Sequence, residues 1–279
     1  MEARQPFSRL GWALFAQMAV MLAAQWGVLL LAGAARPGLL GEPVFLWAAS
    51  VLGAYGLGIP AACLVLWGTA APPAPARRPL GPVRFAALWA GSVGLAYLAN
   101  GATLLLTGLL GRLRGAAVVN PVESIGLYPL PLQLLLAGLI APAAEELLFR
   151  RLLPYGERFA LVASALCFGL FHGNLNQFFY AFLLGLVLAE LALSTGCLWQ
   201  AVLLHALVNL FSILWGWLGG PVVVTGVLML AGAMVPFRLI PALLARPDAE
   251  RGTWRRFLTS PGVLCFGALS LSLALSYLI

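Results

Sequence analysis

The chain has very few charged residues for its length. Asp, Glu, Lys and Arg together make up 9% of its 279 residues, whereas hydrophobic residues make up 62%. An ordinary soluble domain is about 25% charged. A soluble chain of this length cannot bury that much apolar surface, so lipid must cover the remainder. The composition therefore excludes an ordinary soluble protein and predicts a membrane protein.

Lysine is missing altogether, and all sixteen basic residues are Arg. They lie in the gaps between the apolar runs, a pattern that is typical of membrane topology. The net charge of +7 is therefore an indication of orientation in the bilayer. It does not point to a nucleic-acid partner.

The four cysteines lie inside or at the ends of apolar runs and show no CxxC spacing. Isolated buried cysteine behaves as a small hydrophobic residue, which favours a packing role for all four. Cys167 lies near His172 in the sequence and is the one position where a cysteine protease stays open as an alternative.

A helix needs about 20 apolar residues to cross a bilayer. Nine segments meet or nearly meet this length, at about 11–35, 44–68, 85–110, 130–150, 159–173, 177–195, 198–217, 221–243 and 258–278. The segment 159–173 is too short to cross comfortably by itself. Residues 69–83 form a Pro/Ala-rich linker and 244–257 a polar loop. We therefore predict an all-α polytopic membrane protein with about eight to nine transmembrane helices, folded as a single membrane domain over 1–279.

The arginines predict how these segments are oriented. The first apolar run follows Arg4 and Arg9, and at about 24 residues it is too long for the 7–15-residue core of a signal peptide. We therefore treat it as a retained span. With an internal N-terminus, all but three of the sixteen arginines lie on the internal side; the three are Arg36, Arg112 and Arg114. This asymmetry predicts an internal N-terminus and an external C-terminus.

Two adjacent acidic residues lie in the fourth apolar segment, where an ionisable group costs at least ~2.5 kcal/mol at the helix centre. Glu146 and Arg150 are four residues apart, so they share a helix face and can neutralise each other. Glu145 points about 100° away and has no local counter-charge. Its partner must come from another helix. A structural ion pair that tolerates one extra carboxylate would also explain these residues taken alone.

The chain has only two histidines, and both lie in apolar segments. His172 comes one turn after Phe168, and His205 one turn before Asn209, so each pair shares a helix face. Both histidines, the uncompensated glutamate and the asparagine therefore occur on three separate helices. A shared polar site explains this pattern better than independent packing roles.

These residue types suit peptide-bond hydrolysis. A carboxylate and an imidazole can take a proton from water and later deliver it to the leaving amine. A second imidazole and an amide can donate hydrogen bonds to the developing oxyanion. No Ser or Cys nucleophile is then required. The site must be hydrated, and Asn174, Asn176 and Gln177 beside His172 are suited to this.

With these residues the sequence resembles a known family, the CPBP (CAAX protease and bacteriocin-processing) intramembrane proteases, also called the Abi family. The order and spacing of its motifs and their placement on the fourth, fifth and seventh helices match. The motifs are EExxxR at 145–150, FxxxH at 168–172, TGCLW at 195–199 and HxxxN at 205–209. The resemblance covers about 131–215, which we take as the predicted catalytic core.

The resemblance implies an intramembrane endopeptidase. Glu145 and His172 would activate the water, and His205 and Asn209 would form the oxyanion hole.

The same resemblance implies supporting roles, in which Glu146 and Arg150 would hold the helix and tune the site. Two positions depart from the family pattern. Cys197 replaces the usual small polar residue. Glu190 is an extra acid, which we interpret as an interfacial residue near a helix end.

Members of the family have been described both as metal-dependent and as glutamate-type enzymes. Two histidines and one glutamate could hold Zn²⁺ with water in the fourth position. The sequence lacks HExxH spacing, and Asn209 is a poor zinc ligand but a good oxyanion donor. We therefore expect no metal and no other cofactor, with Zn²⁺ as the alternative.

Two other functions stay open. A proton-coupled transporter or channel would relay protons through the glutamates and histidines, and it should show inverted repeats and broken helices in both halves. The polar residues here instead cluster in one third of the chain. A non-catalytic membrane scaffold should have a damaged motif, and all four key positions are intact.

The expected partners are the lipid bilayer and a membrane-anchored protein or peptide substrate. The resemblance implies processing of prenylated CAAX-like C-termini, bacteriocin-related self-immunity, or removal of C-terminal sorting tails. The Arg-only, Ala-, Gly- and Pro-rich composition is typical of a high-GC bacterium, where protein prenylation is not expected. We therefore favour a membrane-anchored peptide or sorting tail as substrate and a multi-pass location in the cell membrane, expected to be a bacterial inner membrane.

Overall fold

Apolar runs and the prolines and glycines between them determine where the helices begin and end. The computed structural model describes residues 5–69, 77–150 and 157–278, and it contains helices and no strand within those ranges. The helices in chain order are α1 (Gln5–Ala35), α2 (Pro43–Val65), α3 (Pro82–Arg114), α4 (Leu130–Phe149), α5 (Glu157–Phe171), α6 (Leu175–Thr195), α7 (Leu198–Leu218), α8 (Val222–Ala245), α9 (Thr253–Leu258) and α10 (Pro261–Ser276).

Each of the nine predicted apolar segments contains a helix in the described part of the chain. Over the described ranges, seven helices (α1 to α4 and α6 to α8) are long and apolar enough to cross a membrane. The other two segments form shorter apolar helices: α5 has 15 residues and α10 has 16. The prediction that the fifth segment is too short is confirmed, and the ninth segment is also shorter than a comfortable span.

Local signals account for differences at the helix ends. The third helix is longer than the predicted 85–110, because Pro82 opens it at its first position and Gly115 closes it in the left-handed conformation (φ 71°). The polar loop predicted at 244–257 contains the short helix α9. The linker 69–83 lies partly outside the described residues, as do Arg4 and Arg151 of the topology prediction.

Helices α2 and α4 each contain a π-helical stretch, at Leu52–Gly58 and Leu136–Ile140. Each stretch ends two residues before a proline, Pro60 or Pro142. Proline has no backbone N–H, and its ring clashes with the carbonyl four residues earlier. The local change to wider turns lets each helix continue past its proline.

Many of the largest exposed side chains are apolar. Trp67, Leu105 and Val222 are 79%, 79% and 85% exposed, and they belong to a long series of exposed Leu, Val and Trp side chains. A surface of this kind would aggregate in water but is the normal contact surface with lipid tails. Together with the seven long apolar helices, it confirms the predicted all-α, multi-pass membrane protein.

The chain divides into two compact units, and the first comprises Met1–Ala70, Glu123–Ala144 and Gly252–Leu269. Within it α1 packs along α2, and the Arg9 guanidinium donates to carbonyls at the end of α2. A Cβ at Gly11 of α1 would overlap the backbone of Gly262 at the start of α10. Close helix packing in this unit therefore depends on small residues, as is usual in membranes.

The second unit comprises Ala71–Val122, Glu145–Arg251 and Ser270–Ile279. Its central helix is α6, which packs against α3, α5 and α7 and is the most buried of the seven long helices. The backbones of α3 and α8 touch where Gly94 faces Gly232, since a Cβ on either would overlap the other helix. All six residues predicted for the site belong to this unit. The single domain over 1–279 and the core at 131–215 stay predictions.

Candidate active site

The end of α4 carries a buried ion pair. Glu146 is fully buried and Arg150 is 5% exposed. The Arg150 Nε donates to Glu146 Oε2 over 2.8 Å, and Nη2 lies 2.7 Å from the same oxygen. The four-residue spacing therefore forms the pair that it predicts. Because both groups are out of water, each depends on the other for charge compensation.

Ser164 of α5 is a further member of this cluster that sequence reasoning missed. Its side chain is fully buried, accepts a hydrogen bond from Arg150 Nη1 (2.6 Å) and donates to the Phe149 carbonyl (3.0 Å). The hydroxyl thus connects the end of α4 to α5. A signal was present, because Ser164 is the only hydroxyl residue in α5.

His205 of α7 lies between the two glutamates. Its Nε2 is 3.9 Å from Glu145 Oε2, and its Nδ1 is 3.4 Å from Glu146 Oε1. The His205 side chain is 4% exposed and that of Glu145 8%. A side chain of another helix, the His205 imidazole, thus lies next to Glu145, and its role as the partner of Glu145 stays a prediction.

These contacts form a buried chain of ionisable groups, which we call the charge chain: Arg150, Glu146, His205 and Glu145. It contains two carboxylates, one guanidinium and one imidazole. Glu146 Oε1 and His205 Nδ1 have no hydrogen-bond partner among the described residues, so the 3.4 Å contact between them is an electrostatic one. In a low-dielectric interior such contacts are strong, and groups left uncompensated are costly.

His172 directly follows α5, and Gly173 ends the helix with a left-handed backbone (φ 59°). The imidazole is half-buried, and its Nδ1 lies 2.8 Å from the Phe168 carbonyl. A carbonyl oxygen only accepts, so Nδ1 carries the hydrogen in this contact. In the neutral ring Nε2 is then an acceptor. This is the tautomer that a proton-accepting base needs.

Phe168 brings the two histidines into one neighbourhood. Its ring centroid is 5.1 Å from that of His172 and 5.5 Å from that of His205, with edge-to-face geometry in both cases. The FxxxH spacing therefore places an aromatic ring between the histidines of α5 and α7.

Asn209 lies one turn after His205 on α7 and is half-buried. The helical spacing puts both side chains on the same face, as the sequence predicts.

Cys167, the position left open for a cysteine protease, is buried in α5 at 2% exposure. The ring contacts of His172 are with Phe168, Phe171 and Tyr180.

The polar residues that follow His172 have a structural arrangement of their own. Asn174 is buried and is the N-cap of α6, where its side chain accepts from the backbone N–H of Gln177. It also donates to the His172 carbonyl over 2.7 Å. Asn176 is buried as well. Hydration by these residues stays a prediction, whereas the cap shows that they hold the turn that carries His172.

The structure also shows the surroundings of Glu190 and Cys197, the two positions that depart from the family pattern. Glu190 of α6 accepts two hydrogen bonds of 2.7 Å from Arg246, just after α8. Cys197 is the N-cap of α7 and makes no side-chain capping hydrogen bond. The Thr195 hydroxyl accepts from the Cys197 N–H instead (3.1 Å), which explains how the turn tolerates cysteine.

A metal centre is tested by the arrangement of potential ligands. Catalytic zinc takes three protein ligands at about 2.0–2.2 Å plus a water. Among residues 5–69, 77–150 and 157–278, no group of three or more His, Cys, Asp or Glu side chains is arranged to hold a metal ion. The absence of a metal and of any other cofactor stays a prediction.

Fold and site together define a class: a multi-pass α-helical membrane protein with two buried glutamates against a histidine of another helix. Residues 128–211 match the family described as Type II CAAX prenyl endopeptidase Rce1-like. The match covers about 30% of the chain and overlaps the predicted catalytic core, so this part of the chain is similar to CAAX-type intramembrane proteases. No curated protein matches the chain, and no solved structure does either.

Proposed function

We propose that the chain is an intramembrane endopeptidase of the glutamate type, which hydrolyses a peptide bond in a membrane-anchored substrate. The single observation that carries this proposal is the charge chain. It keeps a carboxylate, Glu145, buried beside an imidazole of another helix. A protein that needed only structural stability would gain little from it, because buried ion pairs are weak contributors to stability.

In the proposed reaction, Glu145 and His172 remove a proton from a water molecule. The water oxygen forms a bond to the carbonyl carbon of the scissile peptide, and the electron pair of the C=O bond moves to the carbonyl oxygen. When the tetrahedral intermediate collapses, the C–N bond breaks and the removed proton passes to the amine. The products are a carboxylate and an amine, as hydrolysis requires.

His205 and Asn209 would donate hydrogen bonds to the oxyanion from one face of α7. The charge chain indicates which nitrogen of His205 would donate. Its Nδ1 faces Glu146 and its Nε2 faces Glu145, and carboxylates only accept. At 3.9 Å Nε2 makes no hydrogen bond to Glu145, so it is the ring nitrogen that can donate to the oxyanion.

The substrate class follows from location and family. A site among membrane helices acts on chains that are themselves anchored in the membrane. The matched family is described as a prenyl endopeptidase, which suggests a lipidated C-terminus as one substrate. A C-terminal sorting tail with an apolar segment is the alternative that we favour.

The proposal is tested with purified protein in liposomes and two probes. One is an internally quenched peptide with a farnesylated cysteine in a CAAX-like end, and the other is a single-span peptide with a C-terminal sorting tail. We expect cleavage of at least one probe, with the new termini identified by mass spectrometry. Glu145→Gln should abolish this cleavage, since glutamine keeps the shape and loses the base.

Glu190→Gln is the matched control, because Glu190 is a glutamate of the same unit that is paired with Arg246 and lies outside the charge chain. It should cleave at close to the wild-type rate. Cleavage by Glu145→Gln at the wild-type rate, or no cleavage of either probe by the wild-type protein, would contradict the proposed function.

A further inference from the structure

Tyr180 of α6 lies in the candidate site, although no motif includes it. Its ring centroid is 6.2 Å from that of His172. The phenol is half-buried and belongs to the same unit as Glu145. It therefore lies beside His172, one of the two groups to which the activation of water is assigned.

A series of hydrogen bonds determines the direction of the phenol hydroxyl. The Gln177 backbone N–H donates to the Asn174 side-chain oxygen over 2.9 Å, so Asn174 must donate from its nitrogen. That nitrogen donates to Gln177 Oε1 (2.8 Å) and to the His172 carbonyl (2.7 Å). The orientation of both side-chain amides follows from these contacts.

Gln177 then has only its amide nitrogen for Tyr180, and this Nε2 donates to the phenol oxygen over 2.9 Å. The Tyr180 oxygen is consequently an acceptor in this contact, and its own hydrogen must point elsewhere. Among the described residues this hydrogen has no acceptor. Asn174 and Gln177 thus present the Tyr180 hydroxyl as a hydrogen-bond donor beside His172.

We propose that Tyr180 is a further catalytic residue, which donates a hydrogen bond to the reacting water. This rests on the proposed function. A water molecule has two hydrogens and two lone pairs. Glu145 and His172 would accept the two hydrogens, Tyr180 would bind one lone pair, and the other would remain to attack the carbonyl carbon. The same donor would stabilise the negative charge that develops on the water oxygen.

The test is Tyr180→Phe, assayed in liposomes with whichever of the two probes the wild-type protein cleaves. Phenylalanine keeps the ring packed against His172 and removes only the hydroxyl. We expect kcat to fall at least about tenfold, the rate factor that corresponds to roughly 1.4 kcal/mol, with KM and thermal stability nearly unchanged. If Tyr180 had only a structural role, the variant would lose thermal stability, and kcat would not fall selectively while KM stayed constant.

Tyr128→Phe is the matched control. Tyr128 is also half-buried, and its hydroxyl is hydrogen-bonded to Ser50. The variant therefore removes a bonded phenol hydroxyl from a residue that is not part of the candidate site. It should leave kcat unchanged. Equal losses in the two variants would overturn the inference, because they would show a general effect of losing a phenol hydroxyl.

Gln177→Leu supplies a second variant, since it removes the donor that orients the phenol. It should lower kcat in the wild-type background and add nothing in the Tyr180→Phe background. An equal loss in both backgrounds would show that Gln177 does not act through Tyr180.

Failure of this inference and failure of the proposed function give different results. Wild-type kcat in Tyr180→Phe beside an inactive Glu145→Gln overturns the role of Tyr180 and leaves the protease assignment in place. Activity in Glu145→Gln overturns the proposed function itself.

Discussion

Two glutamate–arginine pairs in the second unit have the same contact distance and different surroundings. Nitrogen and oxygen are 2.7 Å apart both in Arg150–Glu146 and in Arg246–Glu190. The side chains of the first pair are 4% and 0% exposed, and those of the second 15% and 21%. Distance alone therefore does not distinguish them.

The partners beyond each pair do distinguish them. Glu146 continues to His205 and so into the candidate site. The second pair lies at the end of α8, where Arg158 donates to the Leu244 and Arg246 carbonyls over 2.7 and 2.9 Å. One pair belongs to the candidate site, and the other connects the ends of helices. The same two residue types thus acquire different roles through the helices packed around them.

The largest effect is expected from breaking the buried pair. Glu146→Ala and Arg150→Ala should each lower stability by about 3–5 kcal/mol, because each leaves an uncompensated buried charge. Activity should fall as well, since Glu146 contacts His205. Thermal unfolding in detergent and cleavage of the active probe measure the two effects. Unchanged stability in both variants would show that the pair contributes nothing despite its burial.

The next largest effect concerns Asn209, which separates an oxyanion hole from a proton relay. Asn209→Ala should lower kcat about 10²-fold or more with little change in substrate affinity. Asn209→Asp should be at least as damaging, because a carboxylate repels the oxyanion. Steady-state kinetics of the two purified variants provides the comparison. An active Asp variant beside an inactive Ala variant would favour the proton relay.

A smaller effect is expected from the Arg246–Glu190 pair, which is more exposed than Arg150–Glu146. Glu190→Ala and Arg246→Ala should each cost about 1 kcal/mol or less, as is typical of ion pairs that water can reach. Cleavage rates should stay near the wild-type value. The same unfolding and cleavage assays apply. Losses as large as those of Arg150→Ala would remove the distinction between the two pairs.

The smallest effects are expected from metal removal and cysteine replacement. A strong zinc chelator should leave activity largely intact, and so should replacement of all four cysteines, because the proposed chemistry uses neither. Probe cleavage before and after chelation measures this directly. Loss of activity that stoichiometric zinc restores would favour the metalloenzyme alternative.

Much of the site could be predicted from the sequence, because helical periodicity determines neighbours three and four residues apart. This applies to Glu146 with Arg150, His172 with Phe168, and the shared face of His205 and Asn209. Charge balance added that Glu145 needs a partner from another helix. The apolar runs likewise predicted the long helices, since a span has a minimum length.

The remaining features depend on which helix faces meet. The contact of His205 with both glutamates, the hydroxyl of Ser164 against Arg150, and the phenol of Tyr180 beside His172 each join different helices or turns. Periodicity within one helix says nothing about such contacts. The π-helical stretches before Pro60 and Pro142 were missed for a different reason, because a proline predicts a kink or break but not the way it is accommodated.

By itself, the sequence determined that the protein lies in a membrane, which residues are too polar for their surroundings, and which of them share a helix face. These are properties of composition and of a 3.6-residue period. Only the tertiary structure decided that Glu190 pairs with Arg246, 56 positions away, and that Glu146 also faces His205. Helix packing decides such partners, because it depends on the shapes of all the helices together.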